Sequence, residues 1–190
     1  MLRRSTAAEE TSMNTVRIAA VTASLVVACS PAVAAVPSAA MNKTITISFT
    51  AGGTAKDPDG RTHPFSTSVT RTVYVSSAGR LFMRHTATAN TKGHESRGGD
   101  FDPSDTRAGK GSFSFQGDRL VGVIPYAGGA RQITATFDGS FSSCTASVIE
   151  GNAGSGSFMR KGPDGVVREI SNATTSGVSC SIQSGNAFAQ

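Results

Sequence analysis

Chemistry in this chain could come from three histidines, a cluster of aspartates and two distant cysteines. Asp100, Asp102 and Asp105 stand in the stretch GGDFDPSD. Carboxylates at alternate positions of a Gly-rich loop are the oxygen donors that hold Ca²⁺. The EF-hand spacing fails here, because Ser104 stands where Asp or Asn is needed. The stretch is therefore read as a charged loop, with a metal site made by His94, Asp100 and Asp102 as the alternative. His94, Asp100, Phe101, Asp102 and Asp105 are the candidate ligand contacts, because recognition residues concentrate on loops. His63, His85 and His94 fall in no H-x-x-x-H or H-E-x-x-H pattern. His85 alternates in phase with Leu81 and Met83, which predicts a half-buried ring on a strand. No G-x-S-x-G elbow is present. A phosphate loop fails because Lys110 is followed by Gly111. No catalytic residue and no cofactor follow from these patterns. A hydrolase whose triad assembles from distant residues is kept as an alternative, and it requires a Ser or an acid beside His63, His85 or His94.

Cys144 and Cys180 lie 36 residues apart. Cys144 shares its alternation face with Ala146 and Val148, and Cys180 shares its face with Val178 and Ile182. Both thiols therefore point toward apolar neighbours, and a disulfide is predicted. That prediction needs an oxidising compartment, and the N-terminus supplies one. Residues 18–28, IAAVTASLVVA, follow Arg17 and precede the small residues 32–35, AVAA. A basic flank, a short apolar run and small residues make a secretory signal peptide over residues 1–35. The run is shorter than the roughly 20 residues that a spanning helix needs. Glu9 and Glu10 are out of place before such a run, so residues 1–12 are read as an upstream extension with Met13 as initiator. The alternative is a lipoprotein signal, VVAC, with Cys29 as the lipidated first residue and one acyl chain as anchor. The expected location is periplasmic or secreted, or membrane-anchored in the lipoprotein reading.

Residues 36–190 hold all 21 glycines, 21 Ser and 17 Thr, but two Leu and three Glu. Helices draw on Leu and Glu, so this composition excludes a helical bundle. The segment has 15 Lys and Arg against 11 Asp and Glu. These charges are scattered and read as a solvated surface. Nucleic-acid binders show a basic stripe with aromatics instead, so no nucleic-acid partner is expected.

Alternation predicts strands at 43–50, 68–76, 80–89, 112–116, 119–126, 131–138, 141–149, 157–161, 166–170 and 177–183. Asp138-Gly139, Gly117-Asp118 and Pro163-Asp164-Gly165 supply hairpin turns. The expected fold is all-β: an antiparallel meander of about 8–10 strands, barrel-like, with a β-sandwich as the alternative. The absence of Trp weighs against an immunoglobulin-type sandwich. A membrane barrel needs aromatic girdles, whereas Arg71, Arg84, Arg131 and Arg168 interrupt these strands. Residues 51–64 and 90–110 are predicted as long polar loops.

The stretches TVYVSSAGRLFMRHTATA, GARQITATFDGSFSSCTASVIEG and VSCSIQSGN resemble small exported bacterial β-rich proteins of uncharacterised function. The resemblance implies export and a β-rich domain over residues 36–190, and it transfers no catalytic residue. The expectation is thus a non-catalytic module that binds a small molecule or an envelope component. The alternative is an anchored envelope structural lipoprotein.

Overall fold

Period-two alternation governs the described strands, apart from two bulges. The computed structural model describes residues 35–91, 94–97, 112–126, 129–151, 156–162 and 165–188. Residues 1–34 of the predicted signal segment, Cys29 among them, and most of the predicted loop 90–110 lie outside these residues. Ten strands follow a short 3₁₀ turn at Ser38–Ala40: β1 Lys43–Lys56, β2 Thr62–Val75, β3 Leu81–Thr91, β4 His94–Arg97, β5 Ser112–Gln116, β6 Arg119–Tyr126, β7 Gly129–Phe137, β8 Cys144–Ile149, β9 Ser157–Lys161 and β10 Val167–Ser184. They form two antiparallel sheets. Sheet A has the order β4-β3-β2-β1-β10-β9, and sheet B has the order β5-β6-β7-β8. Sheet A is strongly curled into a half-barrel. The hairpin reading holds within each sheet. The exception is β10, which returns from the far end of the chain to pair with β1.

Buried apolar residues of the two sheets meet in a shared core. Ile45, Ile47, Phe49, Val69, Val73 and Met83 of sheet A pack with Phe115, Leu120, Ile133, Ala135 and Phe137 of sheet B in one core. Phe141, in the turn before β8, stacks on Phe137 with ring centroids 4.7 Å apart. A smaller cluster of Ala55, Phe65, Phe158 and Ile170 fills the other end of sheet A. Cys144 of β8 is bonded to Cys180 of β10, which ties sheet B to sheet A. Their neighbours Ala146, Val178 and Ile182 pack against the core, as the alternation predicted.

The predicted loop 90–110 is strand where it is described: β3 runs on to Thr91, and β4, His94–Arg97, pairs with it. Two further predicted features change. Residues 51–64 do not form a long loop: β1 and β2 run on through them as paired strands. Asp57 to Arg61 is a tight turn, closed by the Asp57 N–H donating to the Arg61 carbonyl at 2.8 Å. The polar residues there read as loop because strand identity at these positions comes from cross-strand pairing. The predicted strands 166–170 and 177–183 are one continuous strand. Its register against β1 slips between Ser48 and Thr50, and again between Gly52 and Thr54. Each bulge flips the alternation. Inward positions are Val178, Cys180 and Ile182, then Ala173 and Thr175, then Arg168 and Ile170. Gly177, at φ 59°, sits in the first bulge, and Asn172, at φ 50°, sits in the second.

Candidate functional site

The outer face of sheet A carries the polar phase of its strands, and that phase is made of hydroxyls. Register places Ser68 beside Thr88 and Thr70 beside Thr86. It also places Ser48 beside Thr70 and Thr50 beside Ser68. These six residues line an open groove of about 300 Å³, with Phe49, Val69 and Gly177 completing its lining. Short side chains leave the hollow. A side chain added at Gly177 would meet nothing within 4 Å. The Ser48 and Thr70 hydroxyls hydrogen-bond each other at 3.1 Å. Ser68, Thr86 and Thr88 are exposed to solvent. No lining residue is charged.

Larger side chains wall one end of this face. Tyr74 and Phe82 are cross-strand partners and stack at 6.2 Å. The C-terminal segment folds back over the same end. Gly185 accepts a 2.6 Å hydrogen bond from the Thr44 hydroxyl, and the Ala187 N–H donates to that hydroxyl at 3.2 Å. Phe188 thereby meets Tyr74 edge-on at 6.4 Å, with the Arg84 guanidinium 4.7 Å from its ring centre. Arg80 lies over Phe82 at 5.4 Å.

A second polar cluster lies between the sheets. Arg131 donates to Glu150 through Nε at 2.5 Å and through Nη2 at 3.0 Å. The two side chains are 2% and 1% exposed, so this pair is fully desolvated. Arg160 approaches the same carboxylate at 3.5 Å. The Arg131 guanidinium stands over Phe49, and that of Arg160 over Phe65. Arg71 is buried and is the cross-strand partner of His85. Burial, followed by the charges of Arg71, Arg131 and Arg160, pushes the His85 pKa down to about 3. His85 is therefore neutral at physiological pH and too weak a base for proton abstraction there. At the far end, Arg168 donates to Asp57 at 2.8 Å in a third buried polar group, and His63 Nδ1 lies 3.6 Å from the same carboxylate.

These arrangements correct the reading of the charges as a solvated surface: Arg71, Arg131, Arg168 and Asp57 are buried. Alternation could have found them. Arg71 is in phase with Val69 and Val73, Arg131 with Ile133, Arg168 with Ile170, and Glu150 with Val148. His85 sits on the inner face with Met83, as alternation implied, and its Nε2 makes no hydrogen bond among the described residues. Neither His63 nitrogen hydrogen-bonds a described residue either, so the described residues contain no hydroxyl–imidazole pair at these nitrogens. His94 opens β4, opposite Thr91. Asp100, Phe101, Asp102 and Asp105 lie outside the described residues. The groove was missed from sequence because its six hydroxyls come from three strands, and no spacing along the chain marks them. Among the described residues no three His, Cys, Asp or Glu side chains converge as a metal site. No helix there is long and apolar enough to cross a membrane. No family model matches the chain, and neither a curated protein nor a solved structure shows significant similarity to it.

Proposed function

We propose that the protein is an exported, non-catalytic binding module that takes a small polar molecule in the groove on the outer face of sheet A. One observation carries this reading: six hydroxyl-bearing residues of β1, β2 and β3 line an open hollow of about 300 Å³, at the lower limit of small-molecule sites. The strands beneath are held by long ladders and an inter-sheet disulfide, so the backbone that carries these side chains is fixed before a ligand arrives, which reduces the ordering cost of binding. Export is supported by the signal-like N-terminus and by the disulfide, which persists in oxidising compartments. The periplasm or the extracellular space is the corresponding location.

Backbone amide NMR of the mature, disulfide-bonded protein tests the reading against a library of small polar fragments. Saturable shifts confined to Ser48, Thr50, Ser68, Thr70, Thr86 and Thr88 are expected. Fragments that shift only residues elsewhere, or none at all, would overturn it. The denatured mass of the protein recovered from its host tests export. A chain beginning near Val36 supports a freely released module, an acylated Cys29 replaces it with an anchored one, and an intact N-terminus removes export.

A further inference from the structure

We infer that the precursor of this protein is cut between Ala34 and Ala35, so that Ala35 is the first residue of the mature chain. The inference rests on the export reading of the N-terminus, is independent of the groove, and adds the bond that is cut. A signal peptidase requires small residues at the first and third places before the cut, typically as A-x-A. Between residues 29 and 41 only the bond before Ala35 has alanine at both places, Ala32 and Ala34. Looser matches are Val33 with Ala35, before Val36, and Ser38 with Ala40, before Met41. The reaction is a hydrolysis. Water adds across the amide, the C–N bond breaks, the hydroxyl goes to the Ala34 carbonyl carbon, and a proton goes to the Ala35 nitrogen.

The fold separates the three bonds. Residues 36–42 belong to the folded body. Val36 packs against the core, and Ala40 is fully buried in it. A side chain on Gly79, in the turn between β2 and β3, would meet the Val36 Cβ at 3.5 Å. The segment is also stitched in place by its backbone. The Ala40 N–H donates to the Pro37 carbonyl at 3.0 Å, the Met41 N–H to that of Ser38 at 3.1 Å, and the Asn42 N–H to that of Val75 at 2.8 Å. A cut before Met41 would remove Val36 and Ala40 and leave the core open where they sit, which is destabilising. A cut before Val36 would place the new ammonium on a half-buried residue whose side chain lies against apolar groups. A charge held there loses part of its hydration. Ala35 is exposed, so an ammonium on it stays in water. The cut before Ala35 therefore keeps every core contact of the segment and leaves the new charge solvated.

The test expresses the whole precursor in its host and reads the N-terminus of the product by intact mass and N-terminal sequencing. A chain that begins at Ala35 is expected. A start at Val36 or Met41 would overturn the assigned bond and leave export standing. An acylated Cys29 would also overturn it, and would make the protein an anchored one. An intact precursor would remove export and the cut together. Ala34→Asp places a charge at the residue before the bond and should abolish the Ala35 start. Residue 34 is absent from the mature chain, so misfolding of the mature body cannot produce that result, and an unchanged product would overturn the assignment. The packing argument has its own readout. Disulfide-bonded chains that begin at Ala35, Val36 and Met41 are compared by melting temperature. The Met41 start should melt lowest, by several degrees, and the Val36 start should fall below the Ala35 start. A Met41 start as stable as the Ala35 start would refute the structural reason for placing the cut upstream of Val36.

Discussion

Replacing Glu150 with alanine should be among the most damaging single changes to this fold. The carboxylate receives two hydrogen bonds from Arg131 and lies 3.5 Å from Arg160. Exposures of 2% and 1% for the Arg131 and Glu150 side chains place the pair in the buried regime. An exposed pair would contribute about 0–1 kcal/mol. Breaking a buried one costs about 3–5 kcal/mol, because a guanidinium stays in a low-dielectric interior without its carboxylate. For a body of this size, 1 kcal/mol moves the midpoint by about 2–4 °C, so Glu150→Ala should melt roughly 6–20 °C lower. Urea unfolding followed by far-UV circular dichroism gives the free energy directly. Arg160→Ala is the internal comparison. That side chain is 21% exposed and reaches the carboxylate at 3.5 Å, so its loss should cost less. The double variant Arg131→Met, Glu150→Leu replaces the pair with apolar groups of similar volume and should recover most of the stability. A loss under about 1 kcal/mol for Glu150→Ala, or a double variant no better than the single one, would refute the argument that desolvation governs this pair.

Three further outcomes follow from the structure. Removing the disulfide by Cys144→Ser with Cys180→Ser should cost about 4 kcal/mol in the chain-entropy model for a 36-residue separation, measured as a shift in urea midpoint under non-reducing conditions. His85 should make stability fall as pH drops. Its folded pKa is pushed down to about 3 from the ordinary 6.5, so between those values the unfolded chain binds a proton that the native state refuses. Stability is then lost progressively below pH 6.5, and this contribution levels off near pH 3. His85→Leu should flatten the decline between pH 6.5 and 4 in urea titrations, and an unchanged slope would exclude this cause. Gly53→Ala should destabilise by about 1–3 kcal/mol, because its Cβ would sit 2.9 Å from the Ser171 carbonyl oxygen and 3.0 Å from the Phe65 ring. A variant that melts with the parent would show that the second bulge yields freely.

Much of this architecture is legible in the residues themselves. Composition excluded helices. Alternation places Ile45, Ile47, Val69, Val73 and Met83 on core faces, and it predicts the Cys144–Cys180 bridge. The same rule, applied without regard to polarity, also marks Arg71, Arg131, Arg168 and Glu150 as interior. They were read as solvated because charged side chains are rarely buried unless paired, and the partners lie far along the chain: Asp57 is 111 residues from Arg168. The bulged β10 read as two strands because each bulge breaks the alternation on which the reading depends.

The candidate groove was not legible at all, for a physical reason. Local sequence sets which way a side chain points from its strand, through the period of two. Which strands become neighbours, and in what register, is set by long-range pairing and by how sheet A curls around the core. Ser48, Thr70 and Thr86 are ordinary outward residues on separate strands until β1, β2 and β3 align them. Gly177 is an ordinary turn-like glycine until its bulge opens beside Phe49. The residues alone mark an all-β chain, the apolar faces of its strands and its disulfide. Tertiary structure alone decided which polar residues share a surface and which charges meet in the interior, because those neighbours are made by pairing between distant segments.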